Sequence, residues 1–91
     1  MIADPTARTA SRGERALDLT GLELDLLVAL MRRAGRPVPR DALLADAGRG
    51  DVVVSDRTVD VHVSHLRAKL GEPSPIKTVR GVGYVFAKEG A

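Results

Sequence analysis

The fold is decided by Ser55–Leu70, which reads SDRTVDVHVSHLRAKL. Four apolar residues in this stretch recur at the spacing i, i+4, i+7 and i+11, which places them in one stripe along a helix. We expect this stripe to pack into the core, because it is too short for a coiled-coil seam. The stripe consists of Val59, Val63, Leu66 and Leu70.

The opposite face of this helix is centred on Val61 and Ala68. It offers little bulk, an apolar group that fits a thymine methyl, donors for base edges and cations for phosphates. An ordinary solvated helix face would more often carry Glu, Lys and Gln. We therefore interpret this face as one that enters the major groove of DNA. Its flanks carry Arg57, Thr58, Ser64 and His65.

The composition limits the class of protein. The 91 residues make one small domain, and 44% hydrophobic with 29% charged residues favour a packed, soluble globule. The chain has no cysteine, which excludes disulfides and thiolate chemistry. It shows neither a signal peptide nor a long apolar run, so we expect a cytoplasmic protein without a membrane partner.

The net charge of +2 is unevenly distributed along the chain. Residues 1–54 hold eight arginines against eight acidic residues, whereas residues 55–91 hold six basic against four acidic residues and both histidines. The second half therefore suits a polyanionic partner. Charge alone does not decide this, because +2 is unremarkable for a small domain.

The first part of the chain predicts short strands followed by a helix. Turn signals at residues 4–5 and 11–14 separate strands expected at Ala7–Ala10 and Arg15–Leu19. Thr20 and Glu23 then form a capping-box pattern, in which each side chain bonds the backbone amide of the other. We expect a helix over residues 22–33, with Gly35 as its C-cap.

The middle of the chain predicts a second helix and a loop. Residues 36–39 contain two prolines and form a non-helical bridge, after which Arg40–Ala47 reads as a helix with Leu43, Leu44 and Ala47 inward. Residues 48–55 are expected to form a loop. Its three valines, residues 52–54, either pack inward or form an exposed apolar patch that binds a partner.

The third helix is expected to begin at a cap on Asp56 or Ser55 and to end at Gly71. Strands are expected at residues 76–79 and 84–86. The segment between them has glycines on both sides of Val82, which predicts a tight hairpin with Arg80 at its tip. Residues 88–91 are expected to fray.

This order predicts an α+β fold, a winged helix-turn-helix that occupies residues 1–91 as a single domain. Short N-terminal antiparallel strands lie in residues 1–19, the three-helix core in residues 20–71 and the hairpin wing in residues 76–87. A helix of such a fold enters the major groove, and an arginine on the hairpin reaches the neighbouring minor groove.

Three stretches resemble the OmpR/PhoB family of response-regulator effector domains. LTGLELDLL at residues 19–27 is similar to the start of the family's first helix, DRTVDVHVSHLR at 56–67 to its recognition helix, and KTVRGVGY at 77–84 to its wing. They occur in the family's order and cover nearly the whole chain. The resemblance implies a four-stranded N-terminal sheet, three helices and a hairpin. It also implies a two-component transcription regulator that binds direct repeats in tandem.

The resemblance further assigns residues to DNA and to RNA polymerase. It assigns major-groove contacts to Val61, Ser64, His65 and Arg67. It assigns phosphate contacts to Arg57, Thr58, His62 and Tyr84. The wing contributes Thr78 and Arg80, with Arg80 in the minor groove. The loop that approaches RNA polymerase in the family matches residues 47–55, including Arg49, Asp51, Val52, Val53 and Val54.

The sequence departs from the family pattern at several positions. His65 stands where many relatives have Arg, so the base preference does not transfer. The loop after the second helix lacks the family's frequent Trp, which weakens the assignment to RNA polymerase. Leu24 replaces the usual Phe, and Pro39 replaces a capping Ser or Thr. The sequence supplies no receiver domain, which needs about a hundred further residues. We expect an effector domain excised from a longer regulator, and a free-standing protein is the alternative.

Metal binding and catalysis are weaker alternatives. His62 and His65 form a His-x-x-His pair, but the sequence shows no third ligand nearby, so neither a metal nor another cofactor is expected. Asp60, Ser64 and His65 supply the residue types of a hydrolytic triad. However, successive helix residues point about 100° apart, so Ser64 and His65 cannot face each other. No enzyme is expected, and Asp60 is expected to pair with a nearby arginine.

The main hypothesis is therefore sequence-specific binding of double-stranded DNA, by monomers in solution that pair in tandem on the duplex. The alternative is a winged helix that binds another protein and not DNA, because a fold does not determine function. Steep weakening of binding by salt would favour DNA.

Overall fold

The computed structural model describes residues 1–47 and 56–87, apart from the side chains of residues 47 and 56–58. The predicted class is confirmed: short strands, three helices and a C-terminal hairpin follow one another. The elements are β1 (Ile2–Asp4), β2 (Thr9–Arg12), β3 (Arg15–Leu17), α1 (Gly21–Arg32), β4 (Val38–Pro39), α2 (Arg40–Ala47), α3 (Asp56–Leu70), β5 (Ile76–Val79) and β6 (Gly83–Phe86).

The N-terminal sheet has three antiparallel strands in the order β1-β2-β3. The four strands implied by the resemblance are therefore wrong for residues 1–20. The strand expected at Ala7–Ala10 lies at Thr9–Arg12 instead. The reason is a turn in which the Asp4 carboxylate accepts hydrogen bonds from the amides of Thr6 and Ala7 at 2.9 and 3.0 Å. The sequence prediction also missed β1, which pairs with β2.

Helix α1 begins as its capping box predicts. Thr20 has an extended backbone, and its amide donates to Glu23 Oε1 at 2.9 Å while the Glu23 amide donates to Thr20 Oγ1 at 3.2 Å. Strand β3 ends at Leu17 and not at Leu19, because its pairing with β2 stops at the Ala10–Leu17 pair. The expectation of a C-cap at Gly35 is wrong, because the cap is Arg33 and the Gly35 amide donates to the Phe86 carbonyl.

The bridge before α2 is non-helical, as predicted, but it also forms a strand. Val38 and Pro39 pair with Tyr84 and Gly83 of the wing, which makes a second sheet in the order β4-β6-β5. Helix α2 has the predicted bounds. Of its expected inward residues, Leu43 is fully buried and Leu44 is half-buried.

The stripe of α3 lies in the core, as predicted. Val59, Val63, Leu66 and Leu70 are each at most 1% exposed. They pack with the leucines of α1 in one hydrophobic cluster, and burial of each such side chain contributes about 1.5–3 kcal/mol. This stripe fixes which face of α3 remains outside. The α1 leucines of the cluster are Leu24, Leu26, Leu27 and Leu30.

The wing hairpin joins β5 to β6 through a turn in which the Val82 amide donates to the Val79 carbonyl at 3.0 Å. Gly81 has φ +76°, so it supplies the left-handed residue that the turn requires. The sequence predicts that Gly83 belongs to the turn, but it has a different role. It lies in β6 against β4, where an added Cβ would stand 2.1 Å from the Val38 carbonyl oxygen.

Several expectations fall outside the described residues. These are the loop 48–55, the inward side chain of Ala47, the cap before α3 and the tail 88–91. Helix α3 ends at Leu70, and the Gly71 amide, at φ +82°, closes it on the Arg67 carbonyl, as predicted. Within residues 1–47 and 56–87, no helix combines the length and the apolar character needed to cross a membrane.

Candidate nucleic-acid interface

The outer face of α3 is open to solvent. Val61 is 49% exposed although it is aliphatic, and Ser64, His65 and Ala68 around it are also exposed. The core stripe lies on the opposite side of the helix and holds this face outward. The structure thus brings together three of the residues assigned to the major groove: Val61, Ser64 and His65.

One edge of α3 is bonded to helix α2 and to the wing. The Asp60 carboxylate accepts a hydrogen bond from Arg40 Nε at 2.7 Å and another from the Tyr84 hydroxyl at 2.6 Å, both on Oδ1. The expected pairing of Asp60 with an arginine is confirmed. Tyr84 is only 5% exposed. Because its hydroxyl donates to Asp60, a phosphate contact from this hydroxyl would compete with that hydrogen bond.

Arg67 extends from the same edge of α3 to the wing. Its Nη2 donates to Thr78 Oγ1 at 2.5 Å, and its guanidinium carbon lies 5.1 Å from the centre of the Tyr84 ring. Its Nε is buried without a hydrogen-bond partner among the described residues. Arg67 and Thr78, both assigned to DNA, are therefore bonded to each other and connect α3 to β5.

These contacts shift the protonation equilibria at this edge. The hydrogen bond from Arg40, followed by that from Tyr84, lowers the pKa of Asp60. Burial, and then the hydrogen bond to Asp60, raises the pKa of the Tyr84 phenol. The hydrogen bond to Asp60 raises the pKa of Arg40. At neutral pH the edge therefore holds an ionised Asp60 carboxylate, a neutral Tyr84 phenol and the Arg40 guanidinium.

The other edge of α3 lies against the start of α1. Lys69 donates to Glu23 Oε1 at 2.7 Å, and Glu23 is only 2% exposed. Burial raises the pKa of Glu23, but the hydrogen bonds from Lys69 and Thr20 outweigh it and leave the pKa lowered. Glu23 therefore remains ionised at neutral pH.

Both histidines lie on this edge. One ligand atom each of Glu23, His62 and His65 falls within 4.8 Å of the others. The expectation that no third metal ligand lies nearby is therefore wrong. Sequence spacing could not reveal Glu23, because only the packing of α1 on α3 brings it to the histidine pair.

The C-terminal end of α3 is held by two arginines of the N-terminal sheet. Arg12 donates to the carbonyls of Leu70, Gly71 and Pro73 at 2.9, 3.0 and 2.6 Å. Arg15 donates to the carbonyl of Lys69 at 2.5 Å. Cations are favourable at this end of a helix, where the last carbonyls lack partners. Sequence reasoning missed this contact, because it depends on residues far apart in the chain.

The tip of the wing extends into solvent. Arg80 is exposed in the turn, and Val82 is 41% exposed beside it. The exposed side chain of Arg80 is therefore accessible to a binding partner. The side chains of Arg57 and Thr58 and the whole polymerase loop lie outside the described residues, so these assignments stay predictions.

Comparison with known proteins places this arrangement among transcription regulators. The family model described as "Transcriptional regulatory protein, C terminal" matches residues 13–86. Response regulator MprA of Mycolicibacterium vanbaalenii is 40% identical over 86 residues, which cover 91% of this chain and 37% of that protein. The alkaline phosphatase synthesis transcriptional regulatory protein PhoP of Bacillus subtilis is 45% identical over 75 residues, which cover 78% of this chain and 31% of that protein.

A similar fold occurs in a solved structure with a bound partner. The crystal structure of the Klebsiella pneumoniae RstA DNA-binding domain in complex with RstA box matches with a TM-score of 0.77 and 43% sequence identity. The match covers 92% of this chain and 87% of that chain. By contrast, the chain spans only 31–37% of the length of the two regulators named above.

Proposed function

Because the chain belongs to the family of C-terminal domains of transcriptional regulatory proteins, we propose that it binds double-stranded DNA in a sequence-specific manner. It would do so as the output domain of a two-component regulator, through contacts alone and without catalysis. The observation that carries this proposal is the exposed outer face of α3 with the wing bonded along its edge.

The outer face of α3 has the chemistry that major-groove recognition requires. Val61 offers methyl groups for a thymine methyl, and Ser64 and His65 offer polar atoms for base edges. The core stripe behind them holds the helix in place, so base contacts cost little reorganisation. We assign base reading to these three residues and phosphate contacts to Arg57, Thr58 and His62.

The wing provides the second contact. Arg80 lies in a turn next to an exposed valine, and an arginine inserted into the minor groove is a common partner of a helix in the major groove. The Asp60–Tyr84 and Arg67–Thr78 hydrogen bonds set the distance between this tip and α3. We therefore propose that Arg67, Thr78 and Tyr84 position the wing. In this proposal they do not need to contact DNA directly.

The wider assembly follows from the resemblance and is part of the proposal. The domain would be a monomer in solution and would pair in tandem on direct repeats. Within a longer cytoplasmic chain it would follow a receiver domain. The loop 48–55, with Arg49, Asp51 and the three valines, would face RNA polymerase.

Salt dependence tests the proposal against a protein-binding role. The 91-residue chain is titrated into fluorescent random-sequence duplex at several salt concentrations. DNA binding should weaken steeply with salt, with a slope of log K against log salt of about −0.9 for each phosphate contacted. Absence of binding at low salt by folded protein would contradict DNA binding and would favour the protein-interaction alternative.

A further inference from the structure

We propose that Glu23, His62 and His65 form a binding site for a divalent transition-metal ion, with Zn²⁺ as the best-matched ion. The three side chains come from two helices and converge at the edge of α3 that faces α1. Two imidazoles and a carboxylate are a ligand set typical of zinc. A water molecule would complete a tetrahedral site.

The geometry allows closure on a metal by side-chain rotation alone. Zinc–ligand distances of about 2.0–2.2 Å place tetrahedral ligand atoms about 3.3 Å apart, whereas these atoms lie within 4.8 Å. His62 and His65 follow each other at the spacing i, i+3, which puts them on one side of the helix. Their rings are 6.4 Å apart between centroids, in an edge-to-face arrangement. Because His65 is exposed, its ring has room to turn towards the other two ligands.

The buried carboxylate of Glu23 can bind a cation without losing its role in the capping box. Both hydrogen bonds to Glu23, from the Thr20 amide and from Lys69 Nζ, end on Oε1. A metal would therefore bind Oε2 while the capping box of α1 stays intact. A buried anion needs a compensating positive charge, and at present Lys69 supplies it.

Lys69 is the group that opposes metal binding, because its ammonium lies beside the same carboxylate. Its side chain is 39% exposed, and a lysine stem is long enough to move its charge into solvent. The metal would replace Lys69 as the counter-charge of Glu23. Substituting Lys69 by Gln should therefore tighten zinc binding, whereas a surface histidine pair alone would show a much weaker dependence on Lys69.

Bound zinc would join α1 to α3 and fix both imidazoles. If His62 and His65 contact DNA, zinc would withdraw them from it. This consequence rests on the proposed function, whereas the site itself is tested without DNA.

The test is a zinc titration of the untagged 91-residue chain at neutral pH, in competition with a chromophoric chelator. One equivalent of zinc should bind to the wild-type chain. Glu23→Gln, His62→Gln and His65→Gln should each weaken binding by at least about tenfold, since losing even an indirect partner of a ligand costs that much. Glu14→Gln, which alters an exposed acid in the N-terminal turn, is the matched control and should bind zinc as the wild type does.

Two outcomes would overturn the proposal: no zinc binding by folded wild-type protein at millimolar zinc, or equal affinity in the three ligand variants and the control. Gln at position 23 preserves the capping box, and His65 is exposed, so both variants should fold. NMR gives an independent measurement on the wild-type chain. One equivalent of zinc should shift the ring signals of both histidines, and unshifted signals would contradict the site.

Discussion

The hydroxyl of Tyr84 in the wing donates a 2.6 Å hydrogen bond to the carboxylate of Asp60 in helix α3. The same carboxylate oxygen accepts from Arg40 of α2. One acidic side chain thus connects the second helix, the third helix and the wing. The proposed DNA interface depends on this connection, because it sets where Arg80 lies relative to Val61.

Replacing Asp60 by Asn should destabilise the fold in a pH-dependent way. Because the Asp60 pKa is lowered on folding, its contribution is present above the unfolded value, near 3.8, and is lost as the pH falls through the folded pKa. At neutral pH we expect Asp60→Asn to cost about 1 kcal/mol, since the carboxylate is partly exposed and screened. Urea unfolding between neutral and strongly acidic pH measures the difference.

The gap in unfolding free energy between wild type and Asp60→Asn should narrow below pH about 4. Asp18→Asn, at an exposed position outside the strands and helices, is the control and should leave stability nearly unchanged. A gap that stays constant over the whole pH range would contradict a charged role for Asp60.

Replacing Gly83 by Ala should separate β4 from β6. The new Cβ would stand 2.1 Å from the Val38 carbonyl oxygen, which is backbone and cannot rotate away. We expect a loss of about 3 kcal/mol or more, at the upper end of overpacking costs. Gly81→Ala is the matched variant, because its Cβ meets nothing within 4 Å and only the φ of +76° opposes it, which costs about 1–2 kcal/mol. Equal denaturation midpoints for the two variants would refute this close approach as the reason for Gly83.

Replacing Arg12 by Ala should loosen the C-terminal end of α3. The change removes three hydrogen bonds to carbonyl groups at the helix end, and charged hydrogen bonds contribute about 1.5–3 kcal/mol. Amide hydrogen exchange should accelerate in the last turn of α3 and in Gly71. Arg36→Ala, an exposed arginine in the loop after α1, provides the comparison; unchanged exchange in Arg12→Ala would show that the contact does not hold the helix.

Replacing Arg80 by Ala should weaken specific DNA binding by about 1–3 kcal/mol without unfolding the wing. The side chain lies in an exposed turn, so stability should not change, and fluorescence anisotropy with a selected duplex measures the loss. Arg36→Ala removes the same charge outside α3 and the wing. If both variants bind equally well, the minor-groove assignment of Arg80 is wrong.

The features that could be predicted from the sequence depend on local patterns. The stripe of α3, the bounds of α2 and β5 and the capping box of α1 follow from periodicity and short-range bonding, which neighbouring residues decide. One failure is local: a turn on the Asp4 carboxylate moves the strand expected at Ala7–Ala10 to Thr9–Arg12. Other failures are non-local. Strand β4 contains only Val38 and Pro39, and its pairing partner comes from the far end of the chain.

The same distinction applies to the candidate site. The outer face of α3 could be predicted, because a helix fixes the relative directions of its side chains. The residues that contact the two edges of α3 could not be predicted. Periodicity gives no sign that Tyr84 reaches Asp60, that Arg67 reaches Thr78 or that Glu23 lies beside the histidines, because each contact depends on how separate elements pack.

The measurement that tests the central claim most directly is selection of bound duplexes from a random pool at moderate salt, followed by sequencing. Sequence-specific recognition by α3 and the wing predicts enrichment of a shared motif, arranged as a direct repeat with centres about one helical turn apart. Folded protein that enriches no motif over several rounds would contradict the account.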